Sequence, residues 1–306
     1  TLYANIDGFR YAEAEIPVER RPEIDRWVLS ALNSLSEACE RSYAEYEPTE
    51  ATRKIMYFVD EQLSNWYVRL SRRRFWRGEY NEDKISAYQT LYECLVSLAK
   101  LMAPVSPFFA DWLYRNLNEV TGKEPYPSVH LALMPAPDAR HSDLGLEQRM
   151  DYAQRIASLA LSLRKTRKIR VRQPLQKIML PVLDPQFIDQ VNEVKDLILA
   201  EINVKEIEYV TDTSGLLHKR VKPNFKTLGK RLGKHMRTVS DLVADWTQAD
   251  IQQLERSGQF VFELEGESFP ATLEDFEILT EDIPGWQVAS DNGLTVALDV
   301  TLTPEL

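Results

Sequence analysis

Cysteine is scarce in this chain: Cys39 and Cys94 are the two among 306 residues, and they form no C-x-x-C pair. Each sits in a helical pattern among apolar neighbours, so buried, reduced thiols are expected, which suits the cytoplasm. The four histidines (His130, His141, His218 and His235) show no ligand spacing with cysteine or with one another, and no metal site is expected. No apolar run reaches the roughly 18 residues that a membrane span needs, and no signal peptide opens the sequence. The nucleophile elbow G-x-S-x-G is missing, and no histidine stands in a recognisable catalytic context. No catalytic residue is therefore expected. The first residue is Thr1 rather than Met, which suggests a fragment or a processed start.

Positive charge is also in deficit, with a formal net charge of −10. Yet 20 of the 37 Lys and Arg residues fall in three windows that contain no Asp or Glu. Residues 69–77 hold five arginines, 164–177 hold seven bases and 219–237 hold eight. The acids gather elsewhere: residues 238–306 carry fifteen of them against Arg256 alone, a local charge of −14 that leaves the first 237 residues at +4. Cations concentrated in an acidic chain are the footprint of a polyanion partner. Solvated helix faces and ends are the alternative. Phe75 and Trp76 in the first window, and Phe225 and Leu228 in the third, are placed to stack or to pack. The acidic stretch either shields the basic surface or faces away from it.

At 44% hydrophobic and 27% charged residues, the chain reads as an ordinary globular protein, long enough for two domains. Its first half reads as helices. After Pro22, Ile24, Trp27, Val28, Leu32, Leu35 and Cys39 recur at helical spacing. A second helix follows Thr49, a candidate N-cap, with the stripe Met56, Val59, Leu63, Trp66 and Leu70. A third carries Ile85, Tyr88, Tyr92, Leu95, Ala99 and Met102 and stops before Pro104. A short aromatic helix runs from Ser106 to Leu117, residues 121–143 are loop-like, and a helix from about Leu146 to Lys168 follows. Past Gln173-Pro174 the period changes. Strand Ile178–Leu183, a helix to about Ala200 capped by Asp184, and strand Val204–Val210 make a β-α-β unit. Helices near Val239–Ala244 and Gln248–Arg256 and strands at Gln259–Leu264, Glu277–Leu279 and Leu294–Leu302 complete it. The expected architecture is an all-α helix bundle over 21–173 and a smaller α+β domain over 174–306, preceded by a linker remnant over 1–20.

On the second helix, Asn65, Arg69, Arg72, Arg73 and Trp76 fall on a face other than that of Leu63 and Leu70. An amide and a guanidinium four residues apart suit an unpaired base or its phosphate, and an exposed indole can stack on it. Alternatively, Trp76 is core and the arginines pair with acids on other helices. Trp66 reads as core. With Arg74 and Arg77, these residues form the first candidate RNA-binding set. The second is Arg164, Lys165, Arg167, Lys168, Arg170 and Arg172 at a helix C-terminus, where the macrodipole accounts for some cations but not for all of them. The third is Lys219, Arg220, Lys222, Lys226, Lys230, Arg231, Lys234 and Arg237. Its Gly-Lys pairs do not fit the phosphate-loop spacing, because Gly229 and Gly233 are four apart and His235 follows Lys234.

The run Leu63-Ser64-Asn65-Trp66-Tyr67-Val68-Arg69-Leu70-Ser71-Arg72-Arg73-Arg74-Phe75-Trp76 resembles the anticodon-binding domain of isoleucyl-tRNA synthetases. Leu101-Met102-Ala103-Pro104-Val105-Ser106-Pro107-Phe108-Phe109-Ala110 is similar to a stretch shared with the valyl and leucyl enzymes. Val171-Arg172-Gln173-Pro174-Leu175 and the run from Val221 through Phe225 to Lys234 resemble the isoleucyl branch in its eukaryote-like form. Asn5-Ile6-Asp7-Gly8-Phe9 resembles the stretch leading out of that family's catalytic domain. The resemblance implies a C-terminal fragment that binds the tRNA for isoleucine as a cytoplasmic monomer and is inactive alone. The signatures HIGH and KMSKS and the editing insertion do not occur, so ATP and Mg would belong to the catalytic part of a whole enzyme. A valyl- or leucyl-type domain and a protein-docking scaffold with acidic partners are the alternatives.

Overall fold

The computed structural model describes residues 2–77, 79–211, 218–225, 227–264, 267–281, 285–291 and 293–301. The chain divides into two compact units, Thr1–Met150 and Asp151–Leu306. The first is helical and the second carries the strands; the division falls within the stretch expected to be helical up to 173.

In the first unit, α1 (Leu2–Ile6) precedes α2 (Glu23–Ala44), whose Trp27, Val28, Leu32, Leu35 and Cys39 are buried. The stretch read as one α-helix after Thr49 is three segments. Helix α3 spans Pro48–Tyr57, a π-helix spans Phe58–Val68 and α4 spans Arg72–Trp76. Thr49 lies inside α3, whose cap is Glu47. A π-helix bonds i to i+5 and turns more slowly than an α-helix, and the buried positions run Ile55, Phe58, Leu63, Trp66, Tyr67, Ser71 and Phe75. Leu63 and Trp66 of the expected stripe are buried, but the five-residue step from Phe58 to Leu63 leaves Val59 and Leu70 half-buried and Met56 exposed. Helix α5 (Glu82–Met102) starts where the Asn81 side chain accepts from the backbone N–H of Lys84, with Glu82 and Asp83 favourably placed in its first turn. Helix α6 (Pro107–Thr121) begins on a proline and ends at left-handed Gly122. Helices α3 and α5 pack on α2, and α6 packs on α5. Burial pushes the Cys39 thiol up to about 11 and holds that of Cys94 well above its ordinary value.

Helix α7 (Leu144–Thr166) carries the division between the units. In the second unit, β1 (Leu175–Pro181) and β2 (Val204–Val210) pair in parallel, Leu175 opposite Val204. Between them the expected single helix is two, α8 (Pro185–Glu193) and α9 (Lys195–Ile202), broken at Val194. Asp184 caps α8 by accepting from the N–H groups of Gln186 and Phe187 at 2.8 and 3.0 Å. The sheet order is β2-β1-β8-β7, with β7 at Trp286–Asp291 and β8 at Leu294–Asp299. Two further antiparallel pairs join β3 (His218–Pro223) to β6 (Phe276–Glu281) and β4 (Gln259–Leu264) to β5 (Glu267–Thr272). With α10 (Leu228–Leu232), α11 (Met236–Ala244) and α12 (Gln248–Ser257) they enclose a core that includes Val221, Leu228, Val239, Leu254, Phe262 and Phe276. No helix among the described residues is long and apolar enough to cross a membrane.

Candidate nucleic-acid interface

Asp25, in the first turn of α2, is fully buried, and an isolated carboxylate there would be costly. It accepts from Arg74 Nη1 and Nη2 at 2.6 and 2.8 Å, from Ser86 Oγ at 2.6 Å and from Tyr67 Oη at 3.0 Å. Arg74 also donates to Asp83 at 3.1 Å. Burial alone would lower the Arg74 pKa; hydrogen bonds to Asp25 and its charge outweigh that and raise it. Burial, reinforced by the Asp25 charge, keeps the Tyr67 hydroxyl protonated. Arg74, one of the expected RNA-binding residues, is thus committed to the helical core. The signal that could have marked it is Asp25 itself, an acid on the apolar face that also carries Val28 and Leu32.

Locking Arg74 inward leaves its neighbours outside. Asn65, Arg69, Arg72, Arg73, Trp76 and Arg77 are all exposed. Arg69 Nε donates to the backbone carbonyl of Asn65 at 2.6 Å, which folds the guanidinium back along the π-segment. Trp76 is 46% exposed and so is not core, and the Arg77 guanidinium carbon lies 4.6 Å from its ring centroid, a cation–π stack. Among the described residues, the guanidinium groups of Arg72 and Arg73 make no hydrogen bond or ion pair. The result is one cationic helix face with an indole at its end. Trp66 is buried, as read.

The second window splits in the same way. Arg164 is 1% exposed and donates to the carbonyls of Gln173 and Asn203 at 2.9 Å and of Arg170 at 3.3 Å. It holds the chain between α7 and β1 in place, and burial lowers its pKa. Helix α7 ends on left-handed Lys168, with the Ile169 N–H reaching back to the carbonyl of Arg164 at 2.9 Å. Lys165, Arg167, Lys168, Arg170 and Arg172 remain exposed around this buried pin. Replacing Arg164 with Met is expected to lower stability by about 3 kcal/mol, since buried carbonyls lose their donors. If the exposed cations around it bind RNA, the salt dependence of that binding should not change. A urea melt alongside a binding titration checks both.

In the third window, Lys222, Arg231 and Arg237 are exposed. Arg231 pairs with buried Asp275 at 3.0 Å and donates to the Pro270 carbonyl. Lys219 and Arg220 lie on β3 opposite Thr280 and Leu279, and Lys230 and Lys234 lie on α10 and the turn after it. The side chains of these four, and Lys226 as a whole, lie outside the described residues. Phe225 is exposed, whereas Leu228 is core. Gly233 takes φ 44°, so its glycine serves a left-handed turn after α10.

A family profile described as "Anticodon-binding domain of tRNA ligase" matches residues 25–179, half of the chain, including the first two basic windows. The chain belongs to this family of anticodon-binding domains. Within the tRNA-ligase family its similarity is to isoleucine–tRNA ligases, over its whole length. It is 51% identical over 308 residues to that of Cytophaga hutchinsonii and 53% identical over 305 residues to that of Porphyromonas gingivalis. Identity to the isoleucine–tRNA ligase of Thermobifida fusca is 36% over 312 residues. All of the chain is covered in each case, but only 28%, 26% and 29% of the three relatives. The resemblance read from the Leu63–Trp76 run is borne out, and the valyl or leucyl alternative is not favoured.

Proposed function

We propose that this chain binds the tRNA for isoleucine through its anticodon stem-loop and performs no chemistry by itself. The observation that carries this is the exposed arginine face ending in Trp76, on the segment that the anticodon-binding profile matches. Asn65, Arg69, Arg73 and Trp76 meet the anticodon loop. The exposed bases of the second and third windows hold phosphates, which gives affinity without sequence information. The chain spans just over a quarter of its relatives' length. Aminoacylation with ATP and Mg, the catalytic and editing domains that perform it, and a monomeric, cytoplasmic setting belong to the same proposal. In such an enzyme, seating the stem-loop would help place the acceptor end for reaction.

The test is a salt-titrated binding assay with isoleucine tRNA and a non-cognate tRNA. Tighter cognate binding that persists as salt rises is expected. Equal affinity for both tRNAs at every salt would reject anticodon reading by this chain and leave phosphate grip alone.

A further inference from the structure

Beneath the arginine face lies a cavity of about 370 Å³, a volume within the range of small-ligand sites. Residues of α1, the π-segment, α4 and α5 line it. Its base is apolar: Phe75 and Tyr88, both buried, have ring centroids 5.4 Å apart. The Tyr88 hydroxyl donates to Asp7 Oδ2 at 2.6 Å, so the polar tip of that ring is already engaged. Val68 and Leu91 line the wall, while Tyr3, Ser64, Arg69 and Arg72 supply its polar groups. An apolar, aromatic slot edged by two guanidinium groups and the side chains of Ser64 and Tyr3 fits a flat, largely apolar group that carries a negative charge next to it.

We infer that this cavity holds one unpaired nucleotide of the bound RNA. The base sits against Val68, Leu91 and the Phe75 ring, and its phosphate meets Arg69 or Arg72. This assignment rests on the RNA-binding reading above and adds to it a site for a single base, in an open recess of the helical unit. The charge at the mouth favours a nucleotide over an apolar side chain, which would have no use for two cations. Ser64 and Tyr3 are the neutral polar lining residues available to the base edge.

The experiment uses the full chain and an anticodon-loop hairpin, with loop nucleotides made abasic one at a time and affinities read by fluorescence anisotropy. One abasic position is expected to weaken binding about tenfold or more, as loss of a stacked base does. Ser64→Trp, which fills the mouth from an exposed position, should weaken the intact hairpin by a similar factor and be indifferent to that abasic site. Ala4→Trp fills the cavity from the opposite wall and gives a second reading if the first variant melts early. Wild-type protein indifferent to every abasic site would overturn the inference while leaving phosphate binding intact. So would filled variants that bind and discriminate as wild type. Failure of the wild-type chain to bind any hairpin would instead remove the RNA-binding reading, and this site with it.

Discussion

Replacing Asp25 with Ala is expected to lower the stability of the helical unit by about 3–5 kcal/mol, the cost of breaking a buried ion pair from one side. The carboxylate gathers four donors from three segments: Arg74 of α4, Tyr67 of the π-segment and Ser86 of α5. Without it the Arg74 guanidinium, with 15% of its side chain exposed, keeps only Asp83 as an ion-pair partner among the described residues. The Tyr67 hydroxyl falls back on the Ala87 carbonyl at 3.2 Å. Arg74→Met should cost a similar amount, because it leaves the Asp25 carboxyl buried without its ion-pair partner. Asp25→Leu combined with Arg74→Met should recover part of the loss, since an apolar pair removes the need to desolvate charge. Urea melts of the three variants measure this. A single Asp25→Ala loss under about 1 kcal/mol would mean the network is not what fixes α4. Molecules of Arg74→Met that remain folded are expected to bind RNA as the wild type does, because the Arg74 guanidinium is spent on Asp25.

The second large effect concerns discrimination. Arg69→Ala with Arg73→Ala is expected to cost about 1–3 kcal/mol of preference for cognate over non-cognate tRNA, the scale of a bidentate base contact. Lys222→Ala with Arg237→Ala, both exposed bases of the third window, should behave differently. That pair should weaken all tRNAs alike and reduce the slope of log affinity against log salt by about 0.9 for each phosphate released. Arg231 is a poor probe of the same point, because its loss would also strand Asp275. If the Arg69 and Arg73 pair lowers affinity without changing the cognate ratio, those residues grip phosphate and the base reader lies elsewhere.

Much of this architecture was legible from periodicity and caps. Asp184 followed by Pro185 marked a real helix start, and the alternation from Val204 to Val210 marked a real strand. Other elements gave weaker signals. Strand β5 contains Pro270 and starts at a charge, and β7 reads polar because only its Gln287 is buried. The basic windows showed where cations gather but not which ones are spent indoors. Arg74 and Arg164 look like their neighbours in one dimension, and each is claimed by a partner distant in sequence: Asp25 for one, the Asn203 carbonyl for the other. Charge counting cannot see a contact 39 or 49 residues away.

The slow turn between Phe58 and Val68 also governs how the chain tolerates changes in length. Each residue of an α-helix advances about 100° around the axis. Adding or deleting one residue in α3 would swing the arginines a quarter turn or more away from their present side and pull Arg74 off Asp25. The same deletion inside the π-segment would be absorbed by rewinding toward α-helical pitch, with the core contacts of Leu63, Tyr67 and Phe75 kept in step. Among chains of this family, single-residue gaps should therefore collect within 58–68 and be rare on either side of it.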